Sequence, residues 1–311
     1  MVAHPFRFGV QASAASNRSA WVELARRVEG HGYATLTMPD HISDQLAPAP
    51  ALMAAADATE QLRIGALVWD NDFRHPVVLG KELATLDLLS DGRLEVGLGA
   101  GWMVSDYEQA GIDYDPAARR VDRFLEAVHV LKSMFADGPF DYDGEHYRIR
   151  RLEGLPKPVQ RPHPPFLIGG GGRRVLGIAA RHADIVGING TLASGAVDAS
   201  VLRTMTAEAV DEKVGWVRTA AGPRVDEIEM SIRSFFVQIT KDRVAAAEAL
   251  AGGLGFPPEE VLATPFALIG TTDQIIDDLL ARRDRWGFSY VLVGAADVDD
   301  FSPVVAELAG K

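Results

Sequence analysis

A run of four glycines is the first feature that could do chemistry. Gly169, Gly170, Gly171 and Gly172 follow an apolar stretch and precede Arg173. Glycine loses much backbone freedom on folding, so four in a row need a reason. One reason is a group that approaches the backbone too closely for a side chain. If a helix begins near Arg173, free N–H groups, the helix dipole and a guanidinium converge, which predicts a phosphate site. A tight strand-to-helix turn, needing only one or two glycines, is the alternative.

The pair Asp40 and His41, in the string TMPDH, is the second candidate. The pKa of histidine lies near working pH, so His41 could transfer a proton or stabilise an oxyanion. A histidine that only caps a loop is the structural alternative. We predict that Asp40 and His41 are catalytic.

The sequence does not contain the motifs that several other kinds of functional site require. The eight histidines show no HxH or HExxH spacing, and the chain has no cysteine, so we expect no metal site. No GxSxG or Walker-type string is present. A dinucleotide-binding reading of GLGAGW fails because Trp102 and Val104 stand where its third glycine would be.

Composition narrows the class of protein. The 311 residues are 47% hydrophobic and 24% charged, and the net charge is -12 without a cluster of basic residues. These values are typical of a globular protein with a large core and argue against nucleic acid or an anionic membrane as partner. The N-terminal string MVAHPFRFGVQAS shows no signal peptide, so we expect a cytoplasmic protein.

The strands and helices that would position the candidate site residues follow a pattern that recurs along the chain. Short β-rich runs end in Gly, Asp or Asn and are followed by helix-period stretches. The eight runs cover residues 7–12, 34–41, 63–70, 94–101, 165–172, 183–190, 228–239 and 289–297. Mostly apolar strands that alternate with helices predict a parallel sheet, and eight units predict a single (β/α)8 TIM barrel over residues 1–311.

Two helices carry clear sequence signals. One begins at Pro76, with leucines at positions 79, 83, 86 and 89, and the other follows capping residues 271–273. Four stretches are longer than the connections of a minimal barrel, and we interpret them as insertions. One of them contains a predicted hairpin that turns at an Asp-Gly pair. They span about 102–118, 137–164, 191–205 and 240–265.

Two long strings carry a family resemblance. NDFRHPVVLGKELATLDLLSDGRLEVGLGAGW (71–102) and GLPKPVQRPHPPFLIGGGGRRVLGIAARHADIVGING (154–190) resemble the luciferase-like monooxygenase superfamily. They are most similar to its actinobacterial branch of oxidoreductases that use the deazaflavin coenzyme F420. The resemblance runs over most of the chain and implies a barrel, a flavin-like cofactor and a homodimer.

The resemblance also assigns roles to residues. It implies that the cofactor phosphate lies against the glycine run near Asn189, and that a non-prolyl cis peptide at Leu67 and Val68 supports the ring. It places Ala100, Gly101 and Trp102 beside the hydride-carrying face, and Asp40 with His41 next to the ring. The predicted cofactor-binding residues are Leu67, Val68, Asp70, Ala100, Gly101, Trp102, Gly169, Gly170, Gly171, Gly172, Arg173 and Asn189.

One departure from the resembled family bears on the substrate. Sugar-phosphate dehydrogenases of the superfamily carry an acid where this chain has Trp102, which favours an apolar or aromatic substrate. Trp69, Phe73 and Tyr107 could extend that surface, although such residues are as often core. Acidic residues 106 and 108 could replace the lost acid, but two acids in a loop are more often solvated.

The sequence therefore predicts an F420-dependent oxidoreductase that transfers a hydride between C5 of the deazaflavin and a small organic substrate. An FMN-dependent monooxygenase that uses O2 and a reductase partner is one alternative. A non-catalytic flavin-binding barrel is another, and His41 argues against it. A phosphate-sugar isomerase would want Glu or Lys at the strand ends, and the predicted ends supply neither.

Overall fold

The structure is a computed structural model that describes residues 4–311. Its centre is a closed ring of parallel strands, with helices packed outside it. The strands are β1 (Arg7–Gln11), β2 (Thr35–Met38), β3 (Arg63–Ala66), β4 (Trp69–Asp70), β5 (Leu94–Gly99), β6 (Phe140–Asp143), β7 (Arg148–Leu152), β8 (Phe166–Gly170), β9 (Ile185–Ile188), β10 (Glu229–Arg233), β11 (Phe236–Ile239), β12 (Ala267–Gly270) and β13 (Phe288–Gly294).

Helices follow most of the barrel strands, as the alternating sequence pattern predicts. The α-helices are α1 (Arg18–Gly30), α2 (Pro48–Asp57), α3 (Pro76–Leu89), α4 (Val104–Ala110), α5 (Ala117–Phe135), α6 (Arg173–His182), α7 (Ala199–Arg203), α8 (Ala207–Ala221), α9 (Arg243–Leu254), α10 (Pro258–Ala263), α11 (Thr272–Trp286) and α12 (Val298–Leu308). None of the helices in the described part of the chain is both long and apolar enough to cross a membrane.

The ring closes through eight strands. Their order is β1, β2, β3, β5, β8, β9, β10 and β13, and β13 pairs with β1 again. Every pairing in the ring is parallel, so the carboxyl ends of all eight strands meet at one rim. The (β/α)8 barrel predicted from the sequence is confirmed, and its carboxyl rim is where such barrels place their chemistry.

Two of the predicted strands are interrupted. The third run divides into β3 and β4 at the peptide between Leu67 and Val68. The predicted single strand 228–239 is wrong: the chain leaves the barrel after β10, where Ser234 N donates to Leu292 O and Phe235 N donates to Phe266 O. β11 then pairs with β12, a strand that the sequence analysis missed, in a separate two-stranded sheet. No Gly or Pro marks the break, so the sequence pattern did not show it.

The two helices with clear sequence signals form where expected. Pro76 opens α3, and Thr271 caps α11 through a capping box with Gln274. On α3 the first three leucines of the pattern are buried, but Leu89 is 60% exposed at the helix end. The predicted hairpin is also confirmed, with β6 and β7 antiparallel across the turn at Gly144.

Ion pairs close the amino-terminal end of the barrel. Arg7 binds Glu95 at 2.5 Å and Glu229 at 2.6 Å, and Arg63 reaches Glu95 at 2.8 Å. Arg7 also lies 3.7 Å above the ring of Tyr290. Because these charges pair with one another, they have a structural role at this end, and ligand binding is expected at the other rim, where such barrels place their chemistry.

Candidate active site

Side chains from four neighbouring strands converge at the carboxyl rim. Residues 40 and 41 follow β2, Asp70 ends β4, Trp102 follows β5, and the glycine run ends β8. Because β2, β3, β5 and β8 are consecutive neighbours in the ring, these positions line one continuous arc. The sequence placed them at strand ends, and the closed barrel brings the ends together.

A histidine–carboxylate pair is the central contact of this arc. His41 Nδ1 lies 2.6 Å from Asp106 Oδ2, and Ile42 N donates to Asp106 Oδ1 at 3.2 Å. The Asp106 side chain is only 4% exposed, whereas that of His41 is 22% exposed. Asp106 therefore fixes the ring orientation of His41. The sequence analysis took this acid to be more often solvated, and the structure corrects that reading because α4 turns it inward.

Trp102 packs against the same histidine. The two rings meet edge to face, with centroids 5.7 Å apart and planes at 86°. The carbonyl oxygen of Trp102 accepts a hydrogen bond from Tyr114 Oη at 3.0 Å. Trp102 is half-buried, so part of its ring remains available at the rim beside His41.

Asp40 forms an ion pair with an arginine that the sequence analysis did not single out. Arg74 Nη1 and Nη2 donate to the two carboxylate oxygens at 2.6 and 3.3 Å. Asp70 N donates to Asp40 Oδ2 at 3.2 Å, and the Asp40 side chain is 4% exposed. With both oxygens bonded and little exposure, Asp40 is suited to positioning the rim.

A second buried carboxylate cluster lies behind the rim. Asp70 Oδ1 accepts from Asp72 N at 2.8 Å, and Tyr107 Oη lies 3.4 Å from that oxygen. Tyr107 Oη donates to Asp72 Oδ2 at 2.9 Å, and Arg123 also binds Asp72 at 2.8 Å. Burial, together with the nearby charges of Asp72 and Asp40, raises the pKa of Asp70 to about 7. Asp70 is thus a carboxyl group that changes charge near neutral pH.

Gly101 is required by this cluster. Its φ is +73°, a conformation that favours glycine. A Cβ here would overlap Tyr107 Oη and lie 3.0 Å from both oxygens of Asp70. Gly101 therefore lets the chain turn closely past the buried acids before reaching Trp102.

The peptide between Leu67 and Val68 is cis, as the resemblance implied. Leu67 O accepts a hydrogen bond from Gln11 Nε2 at 3.0 Å, which ties this bulge to the end of β1. The side chain of Val68 faces the neighbouring strands: a Cβ at Gly99 would overlap it, and one at Gly169 would lie 3.6 Å from it. The bulge is therefore presented towards the glycines of β5 and β8.

Gly170, Gly171 and Gly172 differ in what surrounds them. A Cβ at Gly171 would overlap Gly190 O, and one at Gly170 would lie 2.7 Å from Val175, so neighbouring protein demands these glycines. A Cβ at Gly172 would meet nothing within 4 Å. Gly172 is also the N-cap of α6 and offers no side-chain cap, leaving the first N–H groups of the helix open. The open part of the run is thus its last residue.

Two arginines begin α6, and they differ in their contacts. Arg174 donates to Ala118 O at 3.1 Å and pairs with Asp122 on α5. Arg173 is exposed at the first helical position. Of the two, Arg173 is the one whose charge is available beside Gly172.

Asn189 is fixed behind the glycine run. Its N–H donates to Gly170 O at 2.9 Å, and its side-chain oxygen accepts from Gly190 N at 2.8 Å. Lys213, which is 2% exposed, donates to Asn189 O at 2.6 Å and to Thr204 O at 2.6 Å. Burial lowers the pKa of Lys213 to about 8. The sequence analysis missed this lysine, whose place on a long helix carried no signal.

The residues predicted to line a substrate surface do not form one face. Trp69 and Tyr107 are fully buried, and Tyr107 is bonded into the acid cluster. Phe73 is half-buried, with its ring centroid 5.8 Å from that of Tyr107. Trp102 and Phe73 are therefore the aromatic side chains of this set that retain some exposure.

Comparison with known proteins finds an uncharacterised relative over almost the whole chain, and partial or structural similarity to enzymes named for FMNH2 or F420. An uncharacterised protein of Mycobacterium tuberculosis (strain ATCC 25618 / H37Rv) is 27% identical over 313 residues, which cover 92% of each chain. The FMNH2-dependent dimethylsulfone monooxygenase of Pseudomonas putida is 32% identical over 148 residues, 47% of this chain and 39% of the relative. A solved structure of the coenzyme F420-dependent tetrahydromethanopterin reductase from Methanopyrus kandleri has the same fold, with a TM-score of 0.77 and 18% identity over 98% of this chain and 99% of that one.

The family model for luciferase-like monooxygenases matches residues 1–290, almost the whole barrel. The members of this family are oxidoreductases and monooxygenases, and its named relatives include both F420- and FMNH2-dependent enzymes. On this match and the closed barrel described above, the chain belongs to the luciferase-like monooxygenase family.

Proposed function

We propose that this protein is an oxidoreductase that uses coenzyme F420 and transfers a hydride between the cofactor and a small organic substrate. The observation that carries the proposal is the His41–Asp106 pair at the carboxyl rim, 2.6 Å between Nδ1 and Oδ2. When bound, the deazaflavin would supply or accept the hydride at C5. The chain itself must then handle the proton that balances the hydride.

His41 is suited to that proton. Its Nδ1 is held by Asp106, so the other ring nitrogen, Nε2, is directed away from the carboxylate and can donate to a substrate oxygen. The buried carboxylate of Asp106 fixes which ring nitrogen of His41 faces away from the protein. This pairing argues against a non-catalytic cofactor-binding barrel, which has no need of an oriented proton donor.

The rim residues fit a flavin-type cofactor. Open N–H groups at Gly172 and the charge of Arg173 would hold a phosphate, with Asn189 bracing the run from behind. The bulge at Leu67 and Val68 would support the ring. We propose that Ala100, Gly101, Trp102 and Asp70 would also hold the ring.

The exposed arginine favours F420 over FMN. FMN ends in its phosphate, whereas F420 carries an anionic tail beyond a phosphodiester. Arg173 is exposed beside Gly172, so its charge would serve a phosphate there and also a further anionic group of the same cofactor. The net charge of -12 would otherwise repel such a tail, so a local cation is needed there.

An FMN-dependent monooxygenase is the second candidate. The observation in its favour is the identity of 32% with the dimethylsulfone monooxygenase of Pseudomonas putida, although that match covers 47% of this chain. Open N–H groups at a helix N-terminus suit the phosphate of either cofactor. Such an enzyme would need O2 and a reductase partner.

A direct titration separates the two candidates. The purified protein is titrated with F420 and with FMN while tryptophan fluorescence is recorded, and Trp102→Phe serves as the matched control. We expect strong quenching by F420 at lower concentration than by FMN, with a smaller quench in Trp102→Phe. Tighter FMN binding would make the monooxygenase the better account, and binding of neither would refute the cofactor assignment.

We further propose a cytoplasmic homodimer. Val78 and Leu89 are 53% and 60% exposed and lie eleven residues apart on α3, hence on one face of the helix. These two aliphatic side chains lie at either end of a face that carries Lys81, Glu82 and Thr85 between them, and a second copy would cover both. Sedimentation of the wild type and of Leu89→Glu tests it: a dimer that becomes monomeric in the variant is expected, and a monomeric wild type would contradict the proposal.

A further inference from the structure

Arg233 is a cation at the carboxyl rim that the cofactor proposal does not use. It is the last residue of β10, the seventh strand of the ring, and lies beside β13 and close to the end of β1. Its Nε donates to Gln11 Oε1 at 3.2 Å. Its Nη1 is buried and has no hydrogen-bond partner. A buried guanidinium normally has its donors satisfied, so this open donor marks a place for a ligand.

No carboxylate neutralises Arg233 within ion-pair distance among residues 4–311. The charge of Asp297 does act on Arg233, but its Oδ2 accepts a hydrogen bond from Gly294 N at 3.0 Å. Burial lowers the pKa of Arg233 to about 10, so it remains charged at neutral pH. By contrast, the buried Arg282 donates to Ala267 O and Leu262 O at 2.8 and 3.2 Å.

The surroundings hold the guanidinium in place and keep one side clear. Gln11 is itself fixed, because its Nε2 donates to Leu67 O at 3.0 Å. The ring of Phe235 lies 5.2 Å from the guanidinium carbon. A Cβ at Gly294 would lie 3.1 Å from Arg233 Nη2 and 2.9 Å from Asp297 Oδ2, so glycine at this position leaves room between these two side chains.

The position in the ring decides which molecule would use this donor. The proposed cofactor contacts come from β3, β4, β5 and β8, whereas Arg233, Gln11 and Gly294 end β10, β1 and β13. These strands form the opposite wall of the rim. A group bound by Arg233 therefore belongs to the molecule that shares the rim with the cofactor.

We propose that Arg233 binds a carboxylate of the substrate, and that the substrate is a small apolar or aromatic carboxylic acid. Arginine presents two N–H groups in a plane that matches a carboxylate, and the half-exposed rings of Trp102 and Phe235 offer apolar surface. Because the protein carries a net charge of -12, an anion needs such a local site. This inference rests on the proposed function, because it names the class of substrate for that reaction.

Benzoate and its neutral isostere benzamide test the site by isothermal titration calorimetry, with and without saturating F420. We expect wild type to bind benzoate at least about ten-fold more tightly than benzamide, and Arg233→Met to lose that preference. Arg233→Lys should keep part of it. Arg148→Met removes an exposed arginine of the β6–β7 hairpin and should leave it unchanged.

Gly294→Ala is the second variant and keeps the charge. Its Cβ would lie between Arg233 Nη2 and Asp297 Oδ2, at 3.1 and 2.9 Å, and would take the room next to the guanidinium, so benzoate should bind several-fold more weakly. Equal binding of benzoate and benzamide to wild type, no benzoate binding, or unchanged benzoate affinity in Arg233→Met and Gly294→Ala would overturn the inference. Benzoate binding that depends on Arg233, in a protein that binds no F420, would support the anion site and refute the proposed function instead.

Discussion

His41 and Asp106 are 65 residues apart in the chain, yet their side chains lie 2.6 Å apart at the barrel rim. The contact depends on α4, which follows β5 and turns Asp106 towards the end of β2. The carboxylate is almost fully buried and holds one ring nitrogen of the histidine. The pair therefore has the geometry of a proton donor with its orienting partner.

The first prediction concerns this pair. Asp106→Asn should lower turnover about 10- to 100-fold, because the imidazole loses its orienting charge, while F420 affinity stays within about two-fold. Turnover is measured with a substrate found by screening carboxylic acids that carry a carbonyl or alkene. Glu108→Gln, an exposed acid on the same helix, is the control and should be silent.

A double-mutant cycle distinguishes a working pair from a merely structural contact. If the two residues act together, Asp106→Asn added to His41→Ala causes little further loss of turnover. Independent, multiplying losses would show that Asp106 supports the fold rather than the proton transfer of His41.

The second prediction addresses the phosphate site. Gly172→Asp introduces a carboxylate at the N-cap, where the space is open and the backbone, with φ -93° and ψ 146°, accepts any residue. The new cap should leave stability unchanged or raise it by about 0.3 kcal/mol. F420 affinity should fall at least about ten-fold, since the carboxylate takes the N–H groups and repels the phosphate. Thermal unfolding and cofactor titration measure the two effects.

Gly172→Ser is the matched control, because serine can cap the helix without adding charge. It should weaken the cofactor less than Gly172→Asp does. The equivalent change at Gly171 is unsuitable, since its Cβ would overlap the backbone of Gly190. If Gly172→Asp binds F420 as tightly as the wild type does, the phosphate does not bind at this helix.

The sequence predicts those parts of the site that local patterns determine, and it does not predict contacts between side chains far apart in the chain. The barrel is readable because its strands and helices have distinct periods, and Asp40, His41 and the glycines follow from their places at strand ends. Asp106 and Arg74 are not readable in the same way. Their roles depend on which side chain a loop or helix turns inward, which no local pattern specifies.

Burial is the other property that the sequence did not show. Trp69 and Tyr107 are aromatic residues near the strand ends and so suggested a substrate surface, but both are fully buried. Likewise, the break at Ser234 depends on Phe235 pairing with a distant strand. Arg233, just before the break, is still paired with Leu292 of β13 and so ends a barrel strand at the rim.

The third prediction separates the roles of Asp40 and His41. Arg74→Met leaves the carboxylate of Asp40 buried without its partner and should cost about 3 kcal/mol of unfolding free energy. Asp40→Asn should cost less, because Arg74 is 23% exposed and can be hydrated. Chemical denaturation measures both, with exposed Arg203→Met as the control.

The same variants report on function. Asp40→Asn should retain much more turnover than His41→Ala, since Asp40 is bonded to Arg74 and to the backbone of Asp70. Equal losses of turnover in the two variants would instead show that Asp40 takes part in the reaction itself.

The fourth prediction concerns pH and Asp70. Burial raises the pKa of this carboxyl to about 7, against 3.8 when exposed, so the folded protein binds its proton where the unfolded chain does not. Stability is therefore lost as the pH rises from about 4 to about 7, by at most about 4 kcal/mol from this group. Asp70→Asn cannot ionise and should not show this loss.

The measurement is the free energy of unfolding of both proteins at several pH values between 5 and 8. Their difference is the useful quantity, because other groups titrate in the same range: burial lowers the pKa of His182 to about 4, which makes stability rise with pH. The gain of Asp70→Asn over wild type should grow as the pH approaches 7 and then level off. Exposed Asp44→Asn should show no such growth, and a constant difference for Asp70→Asn would mean that Asp70 is ionised throughout.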